Sequence, residues 1–273
     1  LTIGLSVATR TVTDIKISKQ TELSNRAFNA AEAGVEAVLS GKSPTGNITV
    51  GSGINTSTYN VSVATVGGVA GEAFIFNKTV SKDDTQQLWF VGHNTADNSI
   101  NLTDPLNFNS LQFNVLWGNT GQASDVSTTP AIEVSVIYEQ SGIKMAKGIY
   151  DPNASRTSTN NFLTGVEVGE YTSSKLHFRK LIDLTQAPYL LVAGGGLRLY
   201  ALRLRLLYND TPQLLGAQPN SGSDTFPVQG KLISSTGNAD NVYRKVEVFE
   251  SYPALPPIFD FVLFNGSGNS LQK

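Results

Sequence analysis

The 273-residue sequence contains no cysteine, one methionine and two histidines. Without cysteine there is no disulfide, no thiolate metal ligand and no cysteine nucleophile. The histidines, His93 and His177, stand far apart with no H-x-x-x-H spacing, so the usual helical zinc pair is missing and general-base chemistry has little to draw on. No Gly-x-Ser-x-Gly elbow occurs, and with it goes the nucleophile turn of a serine hydrolase. Charge is scarce as well. Asp, Glu, Lys and Arg make up 15% of the chain, against about 25% in an average globular domain. The net charge of −2 supplies no field that would steer nucleic acid, and no nucleic-acid partner is expected. No cofactor is expected either. What fills the gap is 25 glycines, many Asn, Ser and Thr, and a 40% hydrophobic share. That apolar content suffices for a core and argues against a disordered chain.

The first forty residues differ from the rest. No proline occurs before Pro44, and Leu1, Leu5, Ala8, Val12 and Ile15 recur at spacings of four and three, the stripe of an amphipathic helix. The stripe resumes at Leu23, Ala27, Ala30, Ala31, Gly34, Val35 and Val38, and Ser40-Gly41 ahead of Pro44 is a helix stop. A helix of this length extends about 60 Å. The apolar start, Leu1 to Ala8, is too short to cross a bilayer by itself, which takes about 20 residues. Three arrangements compete. The helix packs across its own β domain; or it forms a coiled coil, a reading weakened by Thr9, Thr11, Thr13, Ser18 and Thr21; or its apolar end belongs to a membrane and then to a bundle of identical helices. Small residues at Gly4, Ser6, Ala8, Ala30, Ala31, Ala33 and Gly34 permit the close approach that a bundle needs.

The run Thr9-Arg10-Thr11-Val12-Thr13-Asp14-Ile15, followed by Ser24-Asn25-Arg26-Ala27-Phe28-Asn29-Ala30-Ala31-Glu32-Ala33-Gly34-Val35-Glu36-Ala37-Val38-Leu39, resembles the N-terminal helix of type IV pilin-like proteins. The match is closest to PilX-type minor pilins and covers residues 1–41. Position 5 is Leu5 where that family carries a glutamate, so pairing of such a glutamate with the N-terminal amine is assigned to no residue here. The resemblance implies a structural subunit, not an enzyme, of an extracellular cell-surface filament. It implies anchoring in a membrane before assembly and identical subunits as partners in a helical homopolymer. On this reading Leu1, Leu5, Ala8, Val12, Ile15, Leu23, Ala27, Ala31 and Val35 pack the filament core.

Beyond Asn47 the hydrophobic period falls from 3.6 to 2. Strands are expected at 59–66, 72–76, 87–91, 111–117, 132–138, 143–150, 176–184, 189–192, 231–235, 243–249 and 259–264. Gln140-Ser141-Gly142 reads as a hairpin connection. In the Leu/Arg run 197–206 the apolar phase slips near Ala201, which predicts a bulge or a change of face. Arg198, Arg203 and Arg205 should lie on the wet side of that strand. The hairpin "ISSTGNADNVYRKVEV" is also similar to the closing hairpin of PilX-like proteins. The expected fold class is α+β: a long N-terminal α-helix, residues 1–43, then a large antiparallel, sandwich-like all-β domain, 44–273, open to division near 151–170.

Candidate chemistry in the body is sparse. Gly194-Gly195-Gly196 lacks the spacing of a phosphate loop and reads as a bend. The oxygen-rich run Asp97 to Asp104, and Asn238, Asp240 and Asn241, are weighed as calcium loops against Asx turns. Glu167 and Asp183 are a conceivable carboxylate pair. Asn-x-Ser/Thr sequons occur at Asn47, Asn55, Asn60, Asn77, Asn101, Asn153, Asn209 and Asn265, with Asn47, Asn60, Asn101 and Asn153 taken as candidate glycosylation sites. A second function class stays open, a helix-anchored surface adhesin or carbohydrate-binding module that takes a host-surface or glycan ligand, with Trp89, Trp117, Tyr171 and Tyr243 as stacking platforms.

Overall fold

The computed structural model describes residues 2–95 and 97–256; of residues 2–9 and Ile54 only the backbone is described. In chain order the elements are helix α1 (Thr2–Leu39), strands β1 (Ile48–Val50), β2 (Ser57–Gly67), β3 (Phe74–Ile75), β4 (Thr85–Trp89), β5 (Gly92–His93), β6 (Ile100–Asn101), β7 (Gln112–Trp117), β8 (Ala131–Glu139) and β9 (Ile143–Tyr150), then a short helix α2 (Ala154–Asn160). Strands β10 (Glu167–Tyr171), β11 (Leu176–Asp183), β12 (Arg198–Leu207), β13 (Leu215–Pro219), β14 (Val228–Ala239) and β15 (Val242–Ser251) follow. The chain is thus mostly antiparallel sheet behind one long N-terminal helix. The strand expected at 259–264 lies outside the described residues.

Among the described residues the chain divides into two compact units, 2–66 with 230–251, and 67–229 with 252–256. The boundary does not fall near 151–170. Strand β7 pairs with β11 across that segment, from Phe178↔Trp117 to Asp183↔Gln112, so the hydrogen-bond ladder joins what a cut there would separate.

In the first unit, α1 lies on a sheet of order β1-β2-β14-β15. The helix ends as its sequence demands. Gly41 adopts φ +83°, its N–H bonds the Val38 carbonyl, and the Lys42 N–H reaches the Ala37 carbonyl, the Schellman closure that glycine makes inexpensive. Alternation along β14 turns Ile233, Ser235, Gly237 and Ala239 inward. Opposite them α1 presents Leu23, Ala27, Ala30, Ala31, Gly34 and Val35, all buried. The approach is very close. A Cβ on Gly237 would collide with the Ala27 carbonyl and come within 2.6 Å of the Ala31 nitrogen, and one on Gly34 would strike the Ser235 hydroxyl and Tyr59. A two-residue turn, Asp240-Asn241, closes the β14–β15 hairpin at Ala239↔Val242, with Asp240 in the left-handed region at φ +56°, which Asp tolerates.

The second unit holds a sheet of order β10-β11-β7-β13-β3 and another of order β4-β12-β8-β9. Their inner residues are the aromatic and aliphatic ones of the period-2 pattern. Trp117, Phe113, Phe178, Leu88, Ile132, Val134 and Leu204 are fully buried. Phe90, just past β4, meets Phe108 at 5.0 Å and Phe113 of β7 at 5.4 Å between ring centroids, which ties the two sheets into one core. The β8–β9 hairpin turns through 140–142, with Ser141 and Gly142 at positive φ. The predicted slip is present: the β12–β8 register shifts between Leu199 and Ala201.

Three expectations are corrected. Residues 189–192 form no strand; Leu190 stands at φ +53°, out of ladder geometry, and exposes its side chain with Val192. Helix α2 lies where none was foreseen, because it starts from an Asn153 cap instead of an apolar stripe. The arginines of β12 do not all face water. Arg203 is buried, donating to the Gln87 side chain and the Leu255 carbonyl, and Arg205 pairs with the buried Glu133 at 2.8 Å; only Arg198 is exposed. Segment 252–256 and strand β8 supply the acceptors that make this burial tolerable.

Because a Cβ at 237 has no room beneath the helix, Gly237→Val should lower the stability of the folded protein by about 1–3 kcal/mol. Gly222→Ala, whose new Cβ meets nothing within 4 Å, should change it little. Chemical denaturation of both variants checks the contrast.

Candidate assembly surface

Helix α1 changes environment along its length. From Leu23 to Val38 it is seated on its own sheet, whereas every residue from Arg10 to Glu22 is exposed. That exposed stretch includes Val12 at 52%, Ile15 at 62% and Ile17 at 58%, β-branched apolar side chains that a solvated single helix has no physical reason to carry. Thirteen residues span about 20 Å. An isolated helix of this length is marginal in water, so packing against something else is what would make it stable. Arg26 fastens the seated part by donating to the Thr56 carbonyl at 2.7 Å, and Arg244 of β15 donates to the Ser24 hydroxyl.

The expected filament-core stripe is therefore split. Leu23, Ala27, Ala31 and Val35 are covered by β14 and β15 of the same chain and are not free to pack against neighbours. The reason is size: alanines and Gly34 match the Ser235-Gly237-Ala239 face so closely that no gap remains. Val12 and Ile15 stay open to a partner. Leu5 and Ala8 lie within the helix, with their side chains outside the description, and Leu1 lies outside it altogether. No helix among the described residues is long and apolar enough to cross a membrane.

The other sites weighed from the sequence resolve into structural roles. In the 97–104 run, Asp97 accepts from the Ser99 N–H and hydroxyl, Asn101 accepts from those of Thr103, and Asp104 accepts from the Leu106 N–H. These are Asx turns. The bonds from Ser99 hold Asp97 below the usual carboxylate range. Among the described residues no cluster of three or more His, Asp or Glu could hold a metal. Glu167 and Asp183 have separate partners: Glu167 takes the Arg179 guanidinium, and Asp183 accepts from Gln112 and Thr185. His93 is buried between Trp89 and Tyr252, stacked on the tyrosine at 4.1 Å, and burial pushes its pKa down. Gly194, Gly195 and Gly196 all take positive φ in a bend.

The sequons divide by exposure. Asn47 and Asn60 are exposed and adjacent, the Asn60 amide donating to the Asn47 side chain at 3.2 Å. Asn101 is half-buried in its Asx turn. Asn153 is ruled out as an acceptor: it is buried, caps α2 by accepting from the Arg156 N–H, and donates to the Val126 carbonyl. Asn209 is buried too, and Asn265 lies outside the described residues. Of the proposed stacking aromatics, Trp117 is fully buried with its indole N–H on the Pro130 carbonyl, Trp89 bonds the Pro253 carbonyl, Tyr171 lies under Arg179, and Tyr243 is exposed in the first unit. Trp89, Trp117 and Tyr171 are thus each engaged within the second unit.

A polar constellation that the sequence did not advertise surrounds Asp151. Its carboxylate, buried, accepts from Arg156 Nε at 2.7 Å and Nη2 at 2.8 Å, from the Asn153 N–H and from the Asn160 amide. Arg156 in turn donates to the Ser127 and Thr129 carbonyls and lies 3.9 Å over the Tyr208 ring. Every partner is satisfied internally, so the cluster locks α2 and the 127–129 loop in place. It offers no open position to a ligand. A D-x-N-x-x-R spacing in a loop was the available signal.

Comparison with models of known protein families, with curated proteins and with solved structures finds no match to this chain.

Burial by itself would raise the Asp151 pKa, but the hydrogen bonds from Arg156, Asn153 and Asn160 outweigh it and hold the carboxyl below the usual carboxylate range. A carboxylate depressed in the folded state stabilises fully above its unfolded pKa, and that contribution is lost as pH falls through the folded value. Asp151→Asn should therefore cost about 3 kcal/mol at neutral pH and less at strongly acidic pH. Urea unfolding at neutral and acidic pH measures both.

Proposed function

We propose that this chain is a pilin-like structural subunit of an extracellular filament, built by bundling of N-terminal helices. One observation carries the reading: α1 is half seated and half bare, with Val12, Ile15 and Ile17 exposed on the bare half. Those residues have no task in the isolated fold, yet they suit burial among copies of the same helix. The resemblance of residues 1–41 to PilX-type helices supports the same conclusion from the sequence. In this role the seated half fixes the helix to its sheet, the bare half joins the filament core, and the amide- and hydroxyl-rich β body is carried at the cell surface. Anchoring of the apolar helix start in a membrane would precede assembly.

The exposed, adjacent Asn47 and Asn60 are the glycosylation candidates most compatible with such a surface, and the buried Asn153 is withdrawn. Filaments sheared from cells expressing the full-length protein should show helical symmetry in negative stain. Val12→Glu combined with Ile15→Glu should abolish them while shifting unfolding stability by no more than about 0.5 kcal/mol, since both side chains are exposed. Wild-type cells without filaments, or filaments indifferent to the double substitution, would refute the reading.

A further inference from the structure

The outer face of the β4-β12-β8-β9 sheet is charged and yet buried. Pairing across the sheet sets two rows on that face, Gln87-Arg203-Ser135-Lys147 and Thr85-Arg205-Glu133-Ile149. The rows carry three cations and one carboxylate, and Glu133 serves both Arg205 at 2.8 Å and Lys147 at 3.2 Å. Charged residues are mostly left to water, but here Arg203 and Ser135 are 2% exposed and Glu133 6%. Part of the cover is segment 252–256. Trp89 Nε1 donates to the Pro253 carbonyl, the Leu255 N–H donates to Gln87 Oε1, and Arg203 donates to the Leu255 and Pro256 carbonyls. The segment thus runs from the Trp89 end of β4 to Arg203. Among the described residues these bonds reach β4 and β12, whereas the burial continues onto Ser135 and Glu133 of β8. The enclosed Gln87 Nε2 has no acceptor among the described residues.

Seventeen residues follow Pro256. After Pro257 they begin Ile258-Phe259-Asp260-Phe261-Val262-Leu263-Phe264, an apolar run with one charge, Asp260. Period-2 spacing would set Ile258, Asp260, Val262 and Phe264 on one side of an extended segment. We propose that residues 258–264 dock on this outer face of their own chain, with Asp260 turned to Arg203, Arg205 and Lys147. Reach is ample: seven extended residues cover about 23 Å, and the step from β12 to β9 is about 10 Å. Charge is matched, because Asp260 adds a second carboxylate to the three cations, and a buried ion is tolerated when it is paired and hydrogen-bonded. Backbone carbonyls of the segment would give Gln87 Nε2 its acceptor. The occupant is the chain's own segment because Pro256 is already held at Arg203. So short a tether sets an effective concentration of about millimolar or more, which a second copy in dilute solution does not reach. The inference concerns the second unit and does not depend on the filament reading.

The test uses the full-length protein in dilute solution, where the lack of native cysteine makes single thiols readable. Val262→Cys should react with a maleimide about tenfold more slowly than Ser270→Cys, since a docked residue reacts only through local opening. Adding Asp260→Lys should bring the two rates together while unfolding stays cooperative, and adding Asp260→Glu should keep them apart. Benzoylphenylalanine in place of Phe264 should, on illumination, cross-link to peptides of β8, β9 or β12 in the same chain, with a yield independent of protein concentration. Equal rates for Val262→Cys and Ser270→Cys, slow labelling that survives Asp260→Lys, or cross-links that join two chains or land on other elements would overturn the docking.

Discussion

The contact between α1 and β14 governs the first unit, because it is made at backbone distance. Gly237 leaves no side chain between the sheet and the Ala27 carbonyl, and Gly34 makes room for the Ser235 hydroxyl and the Tyr59 ring. Dispersion falls off steeply with separation, so a seat built from Gly, Ala and Ser gains by proximity what it lacks in side-chain bulk. The same seat is short. It ends near Leu23, where the inward face of the hairpin ends at Ala239 and Val242, and everything N-terminal to it must find cover elsewhere. The exposed Val12 and Ile15 follow directly from where the sheet stops.

The second unit solves a different problem, that of burying charge in a chain that has little of it. Glu133 is shared by Arg205 and Lys147, Asp151 by Arg156, Asn153 and Asn160, and Arg203 by Gln87 and the Leu255 carbonyl. Each buried ion has several partners, the condition under which desolvation is tolerated. These clusters join strand to strand and loop to helix and leave their oxygens occupied.

Much of the local structure was legible because it depends on near neighbours. The Gly41 stop, the 140–142 hairpin, the bulge beside Ala201 and the Asp240-Asn241 turn all follow from residues within one turn of chain. Errors came where a distant partner decides. Tyr189 to Val192 has the composition of a strand but no neighbour to complete a ladder, and Leu190 turns outward. The Leu/Arg alternation of β12 suggests one wet face, yet segment 252–256 lies over Arg203. Asn153 carries a sequon in which the asparagine is a helix cap, so its amide is spent before any sugar could reach it.

From the sequence alone came the long helix, its end, the antiparallel body and the likeness of residues 1–41 to pilin helices, since periodicity, glycine placement and short motifs are local properties of the chain. The tertiary structure alone decided which part of the helix stripe is already covered. Leu23, Ala27, Ala31 and Val35 read like Val12 and Ile15 on a helical wheel, and only the fit of Gly237 and Ser235 against small helix residues separates them. Burial is set by what arrives from two hundred residues away, and no pattern within the helix records it.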